Sequence, residues 1–174
     1  MKDGQGNPKV ILITGTSTGI GLELAVELAK RGARVFASMR DVDKAEALQF
    51  AATSAGVAVE LVAPDVTSEE SVVEAVGRVE SAAGRIDVVV NNAAVTTYGP
   101  IEFTPQASVE TMFATNVIGA ISVVRAVLPG MRRHGSGRIV NVGSVSAEPR
   151  FGIRLWACTR RRRRRSTRSE SGTE

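Results

Sequence analysis

The sequence predicts an α/β fold, in which helices cover both faces of a doubly wound parallel sheet that is incomplete at the C-terminal side. Two observations predict it. Five short apolar runs alternate with longer segments whose apolar residues recur at helical spacing. Each run is also separated from the next by enough chain for a right-handed crossover helix, the connection that parallel neighbours require.

The predicted strands are rich in Val, Ile and Ala. The first, KVILITG, carries only apolar residues between Lys9 and Thr14, which suits a strand that is buried on both faces. In chain order, we predict strands at residues 9–15, 34–40, 57–66, 86–93 and 137–144. Because no sixth strand is predicted after these, the fifth would be a bare edge of the sheet.

The predicted helices are marked by apolar faces and by capping residues. In the first, Leu22, Ala25 and Val26 share one face, and Gly32 is placed to end the helix. In the third, Thr67 or Ser68 is placed as the N-cap. In chain order, we predict helices at residues 19–33, 41–56, 67–84 and 105–135, the last with a break near Pro129.

The positive charge of the chain lies in its tail. Residues 1–159 hold 15 Lys and Arg against 16 Asp and Glu, whereas residues 160–174 hold 7 Arg against 2 Glu, so the net charge of +4 arises after residue 159. We therefore predict one folded domain at residues 1–155 and a basic, disordered tail at residues 156–174. A nucleic-acid role for the six consecutive arginines, Arg160–Arg165, stays open but is disfavoured, because no aromatic residues are interleaved with them.

Other features bear on location. The N-terminus is polar, and no apolar run approaches the roughly 18 residues of a membrane span. The single cysteine, Cys158, cannot form a disulfide within the chain, and His134 has no neighbours spaced as metal ligands. We expect a cytoplasmic protein with no membrane partner and no metal.

The turn after the first strand, TGTSTGIG, predicts a phosphate-binding site. Gly15 allows a tight turn, Gly19 lets the backbone approach a pyrophosphate, and Gly21 permits close contact between helix and strand. The N–H groups at the start of the next helix can bind phosphate oxygens. A strand–turn–helix of this kind makes the predicted fold a Rossmann type, although a plain structural turn stays a possible reading.

Four motifs in order over residues 9–149 resemble the short-chain dehydrogenase/reductase family: the glycine turn, the Asn-Asn-Ala-Ala of residues 91–94, Asn116 in the long helix, and the segment IVNVGSVSA. The resemblance implies a nicotinamide cofactor and hydride exchange with a ketone or secondary alcohol, a small-molecule substrate. It makes the predicted domain an incomplete NAD(P)-binding domain, and a homo-oligomer possible for a complete protein. The implied cofactor contacts are Gly15, Ser17, Thr18, Gly19, Ile20, Gly21, Arg40, Asp65, Val66, Asn92 and Ala93.

Arg40 bears on the choice of cofactor. An acidic residue at the end of the second strand would bind an adenosine ribose, whereas an arginine would neutralise a 2′-phosphate. The strand ends in Arg40 followed by Asp41, and Ser17 and Thr18 stand in the turn. We expect NADP(H) to be favoured over NAD(H). A solvated surface arginine, a capping role for Asp65 and a turn-forming role for Asn92 are the alternatives.

The resemblance assigns catalytic roles to Ser144, which would hydrogen-bond the substrate oxygen, and Asn116, which would hold a water in a proton relay. The Tyr-x-x-x-Lys pair that should follow Ser144 is absent: the last tyrosine is Tyr98 and the last lysine is Lys44. We therefore expect this chain to lack activity, either as a truncated or frame-shifted family member or as a non-catalytic NADP(H)-binding protein.

A change of reading frame would explain the tail. Cys158 and Thr159 can be encoded TGT-ACN, which contains the tyrosine codon TAC in another frame, and arginine codons read in that frame give Ala, Ser and Lys. We hypothesise a single-base shift within residues 147–155.

Overall fold

The structure, a computed structural model, describes residues 1, 2, 4 and 6–144. Its centre is a five-stranded sheet in which every pair of neighbours is parallel. The strands are β1 (Val10–Thr14), β2 (Arg34–Ser38), β3 (Glu60–Val62), β4 (Val88–Asn91) and β5 (Arg138–Asn141). Their order across the sheet is β3-β2-β1-β4-β5, which confirms the predicted Rossmann-type, doubly wound arrangement.

In the described part of the chain, five α-helices connect the strands. They are α1 (Gly19–Lys30), α2 (Glu46–Ser54), α3 (Glu69–Ala83), α4 (Gln106–Phe113) and α5 (Ala120–Arg133). A π-helical segment at Ala114–Gly119 joins α4 to α5, so that one helix runs continuously over Gln106–Arg133. Short 3₁₀ turns precede α2 at Val42–Ala45 and α4 at Ile101–Phe103.

The sheet separates two hydrophobic cores. Ile11 and Ile13 of β1 point into a core shared with α1 and α2. Val10 and Leu12 point into the other core, which is shared with α3 and α5. All five residues of β1 are buried, as the apolar run in the sequence predicts, because helices cover both faces of a doubly wound sheet.

The sheet ends at β5, which pairs with β4 and, within the described residues, with no other strand. Ile139 faces the core under α5, while Val140 and Val142 are each 38% exposed on the opposite face. The predicted bare edge is therefore present in the part of the chain that the structure describes.

Two expectations for the long helix were wrong. No break occurs near Pro129, which lies inside α5 on an exposed position where solvent can replace the missing backbone donor. The irregular part is instead the π-helical segment Ala114–Gly119, directly before α5. The helix Gln106–Arg133 is also long and apolar enough to cross a membrane, contrary to the expectation from the sequence. A helix that packs on a sheet, as this one does through Val123 and Val127, meets the same criterion of length and composition.

β3 is shorter than predicted, since only Glu60–Val62 of residues 57–66 form a strand. Its C-terminal continuation instead forms a loop that leads into α3. In that loop the carboxylate of Asp65 accepts from the N–H of Thr67, two positions further along the chain. Ser68 is the N-cap of α3, because its hydroxyl oxygen accepts from the Ser71 N–H at 3.3 Å.

Candidate functional site

The crevice at the C-terminal ends of β1 and β4 is the natural place for a ligand. The chain leaves β1 toward α1 on one face of the sheet, and it leaves β4 toward α5 on the other face. Such a point of divergence opens a crevice above the strand ends, and ligands of open α/β sheets bind there. The glycine turn and residues 91–94 both lie at this point.

Two glycines let the glycine turn pack tightly. Gly15 has a φ of +70°, and a Cβ built on it would lie 2.6 Å from the Cα of Ala93. A Cβ on Gly21 would collide with the carbonyl oxygen of Gly15 and with the side-chain nitrogen of Asn92. By contrast, Gly19, at a φ of +60°, has nothing within 4 Å of its Cβ position. Its backbone is therefore open to approach from outside.

Asn92 and Thr14 tie β4 to the turn. The side-chain nitrogen of Asn92 donates to the carbonyl oxygens of Thr14 at 2.9 Å and Gly15 at 2.8 Å. The hydroxyl of Thr14 accepts from the N–H groups of Asn92 and Ala93, both at 3.0 Å. Asn92 thus has the turn-forming contacts that the sequence left open as an alternative to direct contact with a cofactor.

The backbone N–H groups at the start of α1 donate no hydrogen bond to a capping side chain. Thr18 is the N-cap residue, and its side chain makes no capping hydrogen bond to the helix. Thr18, Gly19 and Ile20 are all exposed, with Ile20 at 68%. The N–H groups of this first turn, together with the positive end of the helix dipole, therefore suit an anion.

A cavity of about 200 Å³ lies beside the turn, between the ends of β2 and β3. We call it the β2 cavity. Of the residues that the sequence assigns to a cofactor, it is lined by Gly15, Ser17, Arg40, Asp65, Val66 and Ala93. It is also lined by residues that the sequence analysis did not select, including Asp41, Lys44 and Thr115. Thr16 fixes the turn beside it, because its N–H and its hydroxyl both donate to the carbonyl of Ser38.

Asp65 carries a stabilised negative charge at the cavity wall. Its Oδ1 accepts from the hydroxyl of Thr67 at 2.7 Å and from the Thr67 N–H at 2.9 Å. These two hydrogen bonds, with a further contribution from the positive charge of Arg40, hold the pKa of Asp65 below its ordinary value. Asp65 therefore both lines the cavity and organises the loop, and its carboxyl group stays ionised near neutral pH.

A second, larger cleft of about 810 Å³ lies on the other side of residues 93–95. We call it the β5 cleft. Ser144 and Asn116, the two residues with predicted catalytic roles, both line it, as does Tyr98, which is 91% exposed. Its other walls are largely apolar and come from the long helix, through Met112, Val117, Ile121 and Val124.

Asn116 holds the segment of residues 93–95, which forms the wall between the β2 cavity and the β5 cleft. Its Oδ1 accepts from the N–H of Val95 at 2.9 Å, and its Nδ2 donates to the carbonyl of the same residue at 2.8 Å. The π-helical segment that contains Asn116 also places Gly119 close to Val66, whose carbonyl oxygen and side chain would lie 3.0–3.1 Å from a Cβ built on that glycine. This segment therefore contacts the loop after β3 through Val66 and the loop after β4 through Val95. π-Helical turns are frequent at functional sites.

Asn91 belongs to the Asn-Asn-Ala-Ala motif of residues 91–94, but the sequence analysis gave it no role of its own. It is 7% exposed, and its Nδ2 donates to the carbonyl of Ala120 at 3.3 Å and to Oδ1 of Asn141 at 2.9 Å. Its own Oδ1 has no hydrogen-bond partner among the described residues. Asn91 thus links β4, β5 and the long helix at the floor of the β5 cleft.

The predicted site residues fall into four groups. Six line the β2 cavity, two line the β5 cleft, and Gly21 and Asn92 lie under the turn, while Thr18, Gly19 and Ile20 form the exposed start of α1. The domain boundary after residue 155, the segment where a tyrosine and a lysine were sought, the proposed frame shift and the arginine tail all lie outside the described residues.

Known proteins share this arrangement. The family model described as short chain dehydrogenase matches residues 9–159. Human retinol dehydrogenase 8 is 44% identical over 142 residues, which cover 79% of this chain and 45% of that protein. The chain therefore spans about half the length of this curated relative.

Solved structures also match this chain. A gluconate 5-dehydrogenase from Burkholderia cenocepacia J2315, solved in complex with NADP and tartrate, superposes with a TM-score of 0.74 at 32% identity, covering 82% of this chain and 56% of that one. An NAD⁺-bound xylitol dehydrogenase superposes with a TM-score of 0.75 at 33% identity, covering 80% of this chain and 54% of that one. With the family model matched over most of its length, the chain belongs to the short-chain dehydrogenase family of oxidoreductases.

Proposed function

We propose that this chain is the cofactor-binding part of an NADP(H)-dependent oxidoreductase that interconverts a ketone and an alcohol. One observation carries the proposal: Arg40 and Ser17 line the same cavity as the glycine turn, at the point where a dinucleotide would extend from the helix N-terminus. A guanidinium group at this position suits a 2′-phosphate, which an adenosine ribose lacks in NAD(H).

The residues present fit a nicotinamide dinucleotide. The open backbone at Gly19 and the uncapped start of α1 can receive a pyrophosphate, and the β2 cavity can receive the adenosine end. The wall of Ala93 and Val95 would then lie along the cofactor, since both residues line the β2 cavity and the β5 cleft. When bound, the nicotinamide supplies or accepts a hydride.

The β5 cleft suits an alcohol or carbonyl substrate. Ser144 would donate a hydrogen bond to the substrate oxygen, and the apolar residues of the long helix would contact the carbon skeleton. Asn116 has both ends of its side-chain amide bonded to Val95, so we assign it the role of positioning the wall of the cleft. A relative that is a retinol dehydrogenase supports an apolar alcohol as the substrate class.

Turnover needs a proton donor that the sequence does not supply in the expected pattern. No tyrosine follows Tyr98 and no lysine follows Lys44. We therefore propose that this chain binds NADP(H) without reducing ketones. The second candidate is a protein whose function is to bind NADP(H) without catalysis. The absence of a tyrosine and a lysine after Ser144 favours this candidate as well.

Two measurements test the proposal. Purified protein is titrated with NADPH and with NADH, with nucleotide fluorescence as the readout, and is then incubated with NADPH and a panel of apolar ketones. We expect saturable binding, tighter for NADPH, and no oxidation of the nucleotide. Failure of both nucleotides to bind would overturn the proposed cofactor site, and steady ketone reduction would overturn the proposed lack of turnover.

A further inference from the structure

The end of β2 carries two contradictory signals for cofactor choice. Asp41 lies 20 positions after Gly21, about where an acidic residue hydrogen-bonds the adenosine ribose of NAD(H). Arg40, directly before it, suits the 2′-phosphate of NADP(H). Both residues line the β2 cavity, so their position alone does not decide between the two cofactors.

The contacts of Asp41 separate the two signals. Its Oδ1 accepts from the N–H of Asp43 at 3.1 Å and so caps the 3₁₀ turn Val42–Ala45. Its Oδ2 lies 3.3 Å from the ammonium nitrogen of Lys44. Both carboxylate oxygens therefore already have a partner within the turn, so Asp41 is less available to accept from ribose hydroxyls, and the nearby ammonium group partly offsets the charge that would repel a phosphate.

Lys44 lies in an anchored turn, but its side chain is exposed. The next residue, Ala45, is 3% exposed and Leu48 is fully buried, so the turn is anchored in the core beside α1. The side chain of Lys44 is nevertheless 71% exposed and lines the same cavity as Arg40 and Ser17. Its flexible stem can therefore carry the ammonium group from Asp41 to an anion in the cavity.

The charge balance around the cavity favours a contribution from Lys44 to phosphate binding. Among the described residues that line it, Arg40 and Lys44 are positive, and Asp41 and Asp65 are negative, so the wall has no excess positive charge. Arg40 also acts on Asp65, whose pKa its charge helps to lower. A 2′-phosphate adds a charge of about −1.5 to −2, which one shared arginine does not balance.

We infer that Lys44 determines cofactor selectivity as the second cation of the 2′-phosphate site, and that Asp41 serves as its internal counter-ion rather than as a ribose ligand. The inference rests on the proposed function, because it concerns the same cofactor site. It adds a residue that the glycine motif and the strand end do not indicate. It also gives Asp41 a role in NADP(H) binding, whereas an acidic residue at the end of β2 is expected to favour NAD(H).

The test measures dissociation constants for NADPH and NADH, with the full 174-residue chain and fluorescence titration as above. Lys44→Met should weaken NADPH about five- to tenfold and leave NADH within about twofold, because one charge-assisted contact at an exposed position is lost. Lys44→Arg should restore most of the NADPH affinity. Lys30→Met, the same substitution in the exposed last turn of α1, serves as the matched control and should change neither constant.

Asp41→Asn distinguishes the two roles of the carboxylate. The amide oxygen can still cap the 3₁₀ turn, but the counter-ion of Lys44 is removed. We expect tighter NADPH binding, about twofold to fivefold, and unchanged NADH binding. Weaker NADH binding instead would mean that Asp41 holds the ribose and would overturn the inference.

The outcomes separate failure of the inference from failure of the proposed function. If the unmodified chain binds neither nucleotide, the proposed cofactor site is wrong. If it binds NADPH and NADH equally, the proposed preference for NADP(H) is wrong. If it prefers NADPH and Lys44→Met keeps that preference in full, Arg40 alone binds the phosphate, and the role of Lys44 is wrong.

Discussion

The side-chain nitrogen of Asn92 lies 2.8 Å from the carbonyl oxygen of Gly15, so a residue that follows β4 holds the turn that follows β1. The same nitrogen also bonds the carbonyl of Thr14. Asn92→Ala should leave both carbonyls without this donor and cost about 1–3 kcal/mol in the free energy of unfolding. It should also weaken NADPH binding, because the turn loses its fixed shape. Urea unfolding and NADPH titration check both effects.

Gln49→Ala is a suitable control for that substitution, since it removes an amide from an exposed position on α2. It should change the free energy of unfolding by less than about 0.5 kcal/mol. Equal losses in the two variants would show that Asn92 does not hold the turn.

Gly21→Ala tests the tight contact under the turn. The new methyl group would meet the carbonyl oxygen of Gly15 and the amide nitrogen of Asn92, and backbone atoms cannot easily move away. We expect a loss of about 1–3 kcal/mol in the free energy of unfolding. Gly77→Ala is the matched control, because Gly77 lies on α3 with nothing within 4 Å of its Cβ position. That variant should gain about 0.5–1 kcal/mol from helix propensity, and thermal unfolding of the pair gives the comparison.

Thr67→Val tests the stabilised charge of Asp65. The substitution removes the 2.7 Å hydrogen bond from the hydroxyl of Thr67, which is the largest cause of the lowered pKa. The pKa of Asp65 should therefore rise toward its ordinary value, and a ¹³C NMR titration of its carboxyl carbon measures the change. Thr53→Val, at an exposed position on α2, should leave this pKa unchanged.

The same contact predicts the direction of a pH effect. Because the pKa of Asp65 is lower in the folded chain, the contact stabilises the fold above the ordinary pKa of an aspartate, and this stability is lost as the pH falls through the folded-state pKa. Unfolding at neutral pH should separate Thr67→Val from the unmodified chain, and the difference should shrink in acid. A difference that stays constant with pH would contradict the role of the charge.

Asn116→Asp tests whether Asn116 holds Val95 in the wall between the β2 cavity and the β5 cleft. An oxygen would replace the nitrogen that donates to the carbonyl of Val95, so two acceptors would face each other at the present distance of 2.8 Å. The loop after β4 should loosen, and hydrogen exchange at the Val95 amide should accelerate. Asn141→Asp, which changes the amide that accepts from Asn91, should leave exchange at Val95 unaltered.

Much of the fold can be predicted from the sequence, because each element carries its own signal. β1 is apolar from Val10 to Ile13, Ser68 caps α3, and Gly32 follows α1 with a φ of +77°. The π-helical segment could not be predicted, because nothing in the local sequence indicates it; its Gly119 lies against Val66, a residue far away in the sequence. The break expected at Pro129 does not occur, because Pro129 lies on an exposed position of α5 where solvent can replace the missing backbone donor.

The candidate site shows the same division. The glycine turn, Arg40 and Asp65 could be selected because they stand at the ends of strands, where a parallel sheet binds its ligands. Lys44 gave no such signal, as it lies in a short 3₁₀ turn and looks like any exposed lysine. The double contact between Asn116 and Val95 was equally hidden, because a motif indicates that a residue matters without indicating what it touches.

The place of β1 in the middle of the sheet also affects how the chain folds during its synthesis. β2 and β3 follow β1 closely, but β4 comes much later: the N–H of Val10 bonds the carboxylate of Asp87, 77 positions further on. At about 5–20 residues per second, a ribosome needs roughly 4–15 s to make that stretch. Throughout this interval, one side of the most apolar strand has no neighbour. The nascent chain is therefore most exposed to misassociation before Asp87 leaves the ribosome.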